Sequence, residues 1–327
     1  MDSKYNIKEE MIKYINGQKC DHYECGLEEQ HDKINIVLFW NFKYFTQSQD
    51  GIDTLIAIRS RTSHKVVFIG YNWDPIPPLN DSLVNVNVNV NHSNSLKLKF
   101  IQLMNGYLTC DGREIKILDD MGVYNYLYCP PGFDSSITHY IDDPSYHSDV
   151  SIVCTNLYTD YNIFPRQSVR VHRKELVDLI YQHRNEIVFH IYGPPNLGQM
   201  YPDCYKGYIS YQDCPKVFSN SKINLCIHAT SYNNYRDYLY FSERLPQIMG
   251  AHGLVYCETE YTGLLQPNVN YILSDSNDPW LQIKEILHMY QSPKIQQIKK
   301  NGYETATKYL TWDNMVKKIQ IITRYLL

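Results

Sequence analysis

The chain has 327 residues, 43% of them hydrophobic and 20% charged, a globular composition long enough for about two domains that excludes disordered and collagen-like classes. Its 31 Lys+Arg and 35 Asp+Glu give a net charge of −4, and the basic residues are spread along the chain, so a nucleic-acid partner or an anionic membrane surface is not expected. No apolar run approaches the roughly 18 residues of a membrane span, and the opening Met1-Asp2-Ser3-Lys4-Tyr5 lacks the basic-then-apolar plan of a signal peptide, so a cytoplasmic location is expected. Nine scattered cysteines, an odd number with no Cys-x-x-Cys pair, read as reduced and mostly buried.

Residues 1–33 are polar and mixed, with one short amphipathic stretch (Ile7, Met11, Ile12, Ile15), and read as an appendage. The run Ile34 to Trp40 is continuously apolar, as in a buried parallel strand. A polar loop, Thr46 to Gly51, follows it, then a helical stripe of Ile52, Leu55, Ile56 and Ile58, then a second apolar strand, Lys65 to Ile69. Strand, helix, strand is a βαβ unit. The alternation Val84 to Asn91 fits either a half-exposed strand or a low-complexity loop. Three short strands are predicted at Leu98 to Leu103, Glu114 to Leu118 and Tyr124 to Tyr128, the last running into a boundary at Pro130-Pro131-Gly132.

From residue 149 the alternation becomes regular. Strands are predicted at Val150 to Cys154, Ile187 to Ile191, Ile223 to His228 and Leu254 to Cys257. Helices are predicted at Arg173 to Arg184, Lys216 to Asn220, Arg244 to Ala251, Trp280 to Tyr290, Ile295 to Tyr309 and Trp312 to Leu327. This is a second α/β domain, and in such sheets ligands bind outside the carboxyl ends of the strands.

Three stretches carry a family resemblance. The first is Tyr128-Cys129-Pro130-Pro131-Gly132-Phe133-Asp134 with Tyr146 to Val153; the second is Lys206 to Phe218 through Ser221 to His228; the third is Ser242 to Gly253, continuing to Glu258 and Gly263 to Pro267. In order and spacing they resemble the CgeB/YkvP-like branch of the group-1 glycosyltransferases, which have the GT-B fold. The resemblance implies two Rossmann-like domains facing across a cleft, with the C-terminal helix crossing back to the N-terminal domain. It implies an acceptor-side domain at 34–130, a nucleotide-sugar-binding domain at 131–310 and the returning helix at 311–327. The implied activity is transfer of a hexosyl or related sugar from a nucleoside-diphosphate sugar to a glycan or other acceptor.

The resemblance also distributes roles. Gln247 stands where the family usually places the ribose-binding Glu, the second acid of a Glu-x7-Glu pattern, and Leu239 occupies the position of the first. Glu243, one helical turn earlier, either compensates or serves the helix dipole. Arg244 is placed against the diphosphate as its charge develops, or forms a surface ion pair. Arg173 is placed against the same phosphates, with Arg166 and Arg170 as competitors. Gly207 and Tyr208 fall in the nucleobase segment, Tyr208 either stacking on the base or packing. His228 contacts the donor sugar or phosphate, or is a core group at a strand end, and Glu258 meets donor hydroxyls or caps the following turn. Gly250 and Gly253 allow a helix and a strand to pack closely. Asp50 is the best-placed catalytic base by topology and is also an ordinary loop aspartate.

The sequence has no Gly-x-Gly-x-x-Gly fingerprint, Walker A loop, Gly-x-Ser-x-Gly elbow or His-Glu-x-x-His helix. It also has no Asp-x-Asp triplet at a strand end, so a metal-independent reaction is expected. The missing acids at Leu239 and Gln247 leave a rival reading: a non-catalytic nucleotide-sugar or glycan-binding protein acting in a larger assembly.

Overall fold

The computed structural model describes residues 35–40, 48–61, 66–72, 96, 98–110, 118–119, 122–154, 157, 168–227, 241–261, 263–275 and 277–326. The 1–33 appendage and the Val-Asn repeat lie outside the described residues. The chain divides into two compact units, one formed chiefly by the stretch up to Cys129 together with Lys318–Leu327, the other chiefly by Pro130–Lys317.

In the first unit four parallel strands lie in the order β1 (Asn35–Trp40), β2 (Val66–Asn72), β3 (Gly106–Thr109), β4 (Tyr126–Tyr128). Phe68, Ile69 and Tyr71 of β2 are buried, as expected for a strand covered on both faces. Helix α1 (Gln49–Arg61) buries Ile52, Leu55 and Ile58 at threefold spacing. Asp50 lies in its first turn rather than in a loop, because Ser48 Oγ accepts from the Gly51 N–H and starts the helix earlier than predicted. Ile56, assigned to the apolar stripe, points to solvent.

The predicted strand at Leu98 to Leu103 is helical. Its alternating Leu-Lys-Leu-Lys imitates a strand, but Leu96, Phe100 and Met104 are the residues that go inside, and their fourfold spacing fits a helix. Of the strand predicted at Glu114 to Leu118 only Leu118 is described, and it too is helical. The strand the sequence reading missed is β3. A Cβ on its first residue, Gly106, would sit 2.8 Å from Ile322 Cδ1, so the missing side chain admits the C-terminal helix α8 (Trp312–Leu326). Lys318 Nζ adds a 2.9 Å bond to the Tyr128 carbonyl.

The second unit holds six parallel strands in the order β10 (Ile272–Leu273), β9 (Val255–Cys257), β8 (Ser221–Leu225), β5 (Ser148–Val153), β6 (Phe189–Tyr192), β7 (Tyr205–Gly207). One face is covered by α2 (Ser168–Gln182), α6 (Pro279–His288) and α7 (Pro293–Tyr309), through Val177, Ile180, Ile283, Ile295 and Ile298. The other face packs on α4 (Cys214–Asn220) and α5 (Arg244–Gly250), through Val217, Phe218, Leu245 and Ile248. A short helix, α3 (Asn196–Met200), joins β6 to β7. Helices α6 and α7 start at Pro279 and Pro293, with Asp278 and Ser292 side chains capping the Leu281 and Ile295 N–H groups.

The glycines assigned to close packing take that role. A Cβ on Gly250 would meet the Phe133 ring at 2.6 Å, and one on Gly253 would meet the Phe218 carbonyl at 2.7 Å and Asn224 Nδ2 at 2.8 Å. Asn224 is buried and ties β8 to its surroundings: its Oδ1 accepts from Ser151 of β5, and its Nδ2 donates to the Phe218 carbonyl. Backbone carbonyls yield less than flexible side chains. Gly253→Ala is therefore expected to cost about 1–3 kcal/mol by overpacking, read as a lower urea midpoint with an unchanged slope.

Candidate active site

From β5 the chain runs to β6 and β7 on one side of the sheet, and β8, β9 and β10 extend the other side. The switch point of this doubly wound sheet therefore lies between β5 and β8, where strand ends diverge and leave room for a ligand. Beyond β5 comes Cys154, whose N–H donates to the Tyr192 carbonyl; beyond β8 come Cys226 and Ile227. Gly193 packs against this edge so closely that a Cβ there would lie 2.2 Å from the Cys154 carbonyl oxygen.

Arg173, from α2, reaches into the switch point. It is 7% exposed, and its Nε donates to the Ile227 carbonyl at 2.9 Å, with Nη2 donating to the same oxygen. Burial, and then the neighbouring guanidinium of Arg244, pull its pKa down to about 10, while Cys154, Glu258 and Cys226 act in the opposite sense. Arg173 thus stays charged at neutral pH beside a second cation. Arg244 opens α5, and its Nη1 is sealed from solvent with no hydrogen-bond partner. Unsatisfied buried donors cost about 1–3 kcal/mol each, and more when charged.

Gln247, one turn along α5, is 5% exposed, and its Nε2 is buried without a partner. Glu243 occupies the N-cap position with helical backbone angles, at the helix end where an acid meets the dipole, and its side chain makes no capping hydrogen bond. Glu258 follows β9; Cys257 Sγ lies 3.8 Å from its Oε2, and its charge reaches Arg173. Gly207 and Tyr208 sit at the edge strand β7, two strands from β5, which is about 10 Å. Gly207 has φ +100°, a conformation that suits glycine, and Tyr208 is 78% exposed. The structure thus brings Arg173, Arg244 and Glu258 together, keeps Glu243 and Gln247 on the same helix end as Arg244, and leaves Gly207 and Tyr208 apart. His228 and Arg166 lie outside the described residues.

The sequence reading missed Tyr211. Its hydroxyl is buried beside the Asp134 backbone and the Gln247 side chain, and its ring stacks on Trp312 at 6.5 Å between centroids. Burial, then the Glu243 charge, raise its pKa, against smaller opposing effects of the Asp134 backbone and Gln247. With 30 tyrosines in the chain, no sequence pattern singles it out.

Seven cysteines are described, and all are free and buried, as expected. Desolvation raises Cys154, lifts Cys226 to about 12 and Cys214 to about 11, and holds Cys257 well above its usual value. Among the described residues no group of three or more His, Cys, Asp or Glu side chains is arranged to hold a metal ion, and no described helix is long and apolar enough to cross a membrane.

Parallel sheets in two α/β units, with the C-terminal helix returning to the first, define the GT-B glycosyltransferase fold. Residues 166–320, a little under half the chain, match the model of a family described as glycosyl transferase-like. Among solved structures, the chain is similar to the sucrose-phosphate synthase of Thermosynechococcus elongatus at a TM-score of 0.60 and 12% identity, covering 100% of this chain and 80% of that one. It is similar to Anabaena HepE, solved with UDP-glucose, at 0.55 and 13%, covering 89% of this chain and 78% of that one. It is similar to TarM at 0.55 and 14%, covering 83% of this chain but only 53% of TarM, so the chain spans about half of TarM's length. At these identities the likeness is one of fold. No curated protein sequence matches the chain.

Because the thiolate is the reactive form, the buried thiols around the arginines are expected to resist alkylation at pH 8 in the folded protein. Peptide mass spectrometry after iodoacetamide should find Cys154, Cys214, Cys226 and Cys257 labelled only when denaturant is present.

Proposed function

We propose that the second unit binds a nucleoside-diphosphate sugar at the β5/β8 switch point and transfers its hexosyl or related sugar, without a metal, to a glycan or other acceptor bound by the first unit. The observation that carries this reading is the buried guanidinium of Arg173 beside that of the partly exposed Arg244, whose sealed Nη1 is a donor that nothing in the described protein satisfies. A diphosphate supplies acceptor oxygens and negative charge to both, and Arg is suited to such contacts. The three segments Tyr128 to Val153, Lys206 to His228 and Ser242 to Pro267 favour the CgeB/YkvP-like branch. His228, next in sequence after Ile227, is assigned to the donor sugar or phosphate, Arg244 to the developing phosphate charge and Glu258 to donor hydroxyls. Gly207 and Tyr208 are assigned to the nucleobase. HepE's complex with UDP-glucose makes UDP the first nucleotide to test.

A thermal-shift panel of UDP, GDP, dTDP, CMP and ADP, with and without Mg²⁺, tests the site. A ligand at 100 times its Kd should add about 2.7 kcal/mol of stability, and a shift that needs no Mg²⁺ is expected with one diphosphate. No shift with any of them overturns the reading. Arg244→Ala is expected to lower transfer by at least about tenfold with the fold intact, the scale of one charge-assisted phosphate contact; unchanged turnover removes Arg244 from the site.

The neutral Gln247 and the absent acid at Leu239 favour a second reading, a nucleotide-sugar-binding protein without turnover. Hydrolysis of the donor in the absence of acceptor separates the two, since a transferase leaks sugar to water and a binder leaves the donor intact. Gln247→Glu is expected to hold or raise nucleotide affinity, measured by calorimetry, if this position meets the ribose; a collapse places the ribose elsewhere.

A further inference from the structure

Arg173 and Arg244 are neighbours, but their donors are committed differently. A guanidinium can grip a carboxylate or phosphate along the edge formed by Nε and Nη2, where two N–H groups point the same way. In Arg173 both nitrogens of that edge donate instead to one backbone oxygen, the Ile227 carbonyl, Nε at 2.9 Å. Donor and acceptor are both enclosed, Arg173 being 7% and Ile227 1% exposed. A carbonyl oxygen lies in the rigid plane of its peptide. Held by two nitrogens of a planar group, it fixes the orientation of the peptide just beyond β8, at the switch point of the sheet. Arg244 is the converse case: its Nη1 is sealed from solvent and donates to nothing in the described protein. Burying a charged donor in that state is costly unless an acceptor arrives. One guanidinium is therefore built into the frame of the site, and the other is left to meet what enters it.

We propose that the two cations divide the work: Arg244 is the direct ligand of the donor's phosphates, and Arg173 is a positioning residue that sets the end of β8 beside them. This rests on the donor-site reading above and gives each arginine a different part in it. Arg173 still contributes its charge across the site, but its effect on binding passes chiefly through the Ile227 carbonyl. Arg173→Lys keeps the charge and loses the planar pair of donors, so it separates the two contributions.

The test is calorimetric titration of UMP and UDP, or of the mono- and diphosphate of whichever base the thermal panel selects, into the full chain, Arg173→Lys and Arg244→Ala. The ratio of the two affinities reads what the terminal phosphate contributes. Arg244→Ala is expected to shrink that ratio about tenfold, the loss of one charge-assisted contact. Arg173→Lys is expected to weaken both ligands alike, by about fivefold, the size of one hydrogen bond, and to leave the ratio unchanged. A merely structural Arg173 would lower the melting temperature and leave both affinities as they are, and that result overturns the positioning role. If Arg173→Lys shrinks the ratio as Arg244→Ala does, Arg173 is itself a phosphate ligand and the division is overturned while the donor site stands. If Arg244→Ala leaves the ratio unchanged, the proposal is overturned from the other side, whether or not Arg173→Lys folds. If no nucleoside diphosphate binds the full chain, the donor-site reading falls and this proposal with it.

Discussion

The bond from the Arg173 guanidinium to the Ile227 carbonyl ties α2 to the end of β8 at the place where the sheet changes direction. A parallel sheet leaves backbone groups exposed at its strand ends, and here a cation rather than water satisfies one of them. The depression of Arg173 from 12.5 to about 10 corresponds to roughly 3 kcal/mol against its charged form. That is too little to discharge it at neutral pH. Burial and the like charge of Arg244 therefore leave tension in the site that an anion would relieve, and α2, β8 and α5 are all anchored so that the cations cannot move apart freely.

The neighbours of the two cations reinforce this. Cys154 and Cys226 sit beside them as protonated thiols, because desolvation outweighs the pull of the guanidiniums. Nearby thiols could in principle have supplied neutralising thiolates, but at these pKa values they do not. Compensation is left to carboxylates such as Glu258, whose charge acts on Arg173. The site is thus built to hold positive charge in a place of restricted solvent, where each contact with an incoming anion is stronger than at an open surface.

Much of this was legible in the sequence, for identifiable reasons. Continuous apolar runs gave away β1, β2, β5, β8 and β9, whereas α6 and α7 start one and two residues earlier than predicted, at prolines that follow the capping Asp278 and Ser292. Gly250 and Gly253 were recognisable because a helix followed by a strand required close approach. Leu98 to Leu103 misled because two periodicities overlap there, and burial of Leu96, Phe100 and Met104 decided between them. β3 was hidden because four residues are too few to show a period, and β7 and β10 are shorter still. Arg173 and Arg244 were found through the order of the family segments, whereas their mutual proximity is a property of the sheet topology. Tyr211 depends on tertiary placement beside Trp312 and Gln247, which local sequence does not encode.

The division between charged and neutral groups bears on whether this site catalyses or only binds. Groups that contact the diol meet the same hydroxyls before and during bond cleavage, so their contribution is uniform and lowers KM without raising kcat. The leaving diphosphate, by contrast, gains charge as the glycosidic bond breaks, and cations fixed in advance respond to that gain without reorganising. Replacing a carboxylate by the neutral Gln247 therefore weakens a uniform term and leaves the differential one intact. On this argument the missing acid does not by itself argue against turnover. On the proposed reading, what decides between a transferase and a binding protein is the charge that Arg173 and Arg244 would bring to the phosphates, and the two guanidiniums are neighbours in the structure.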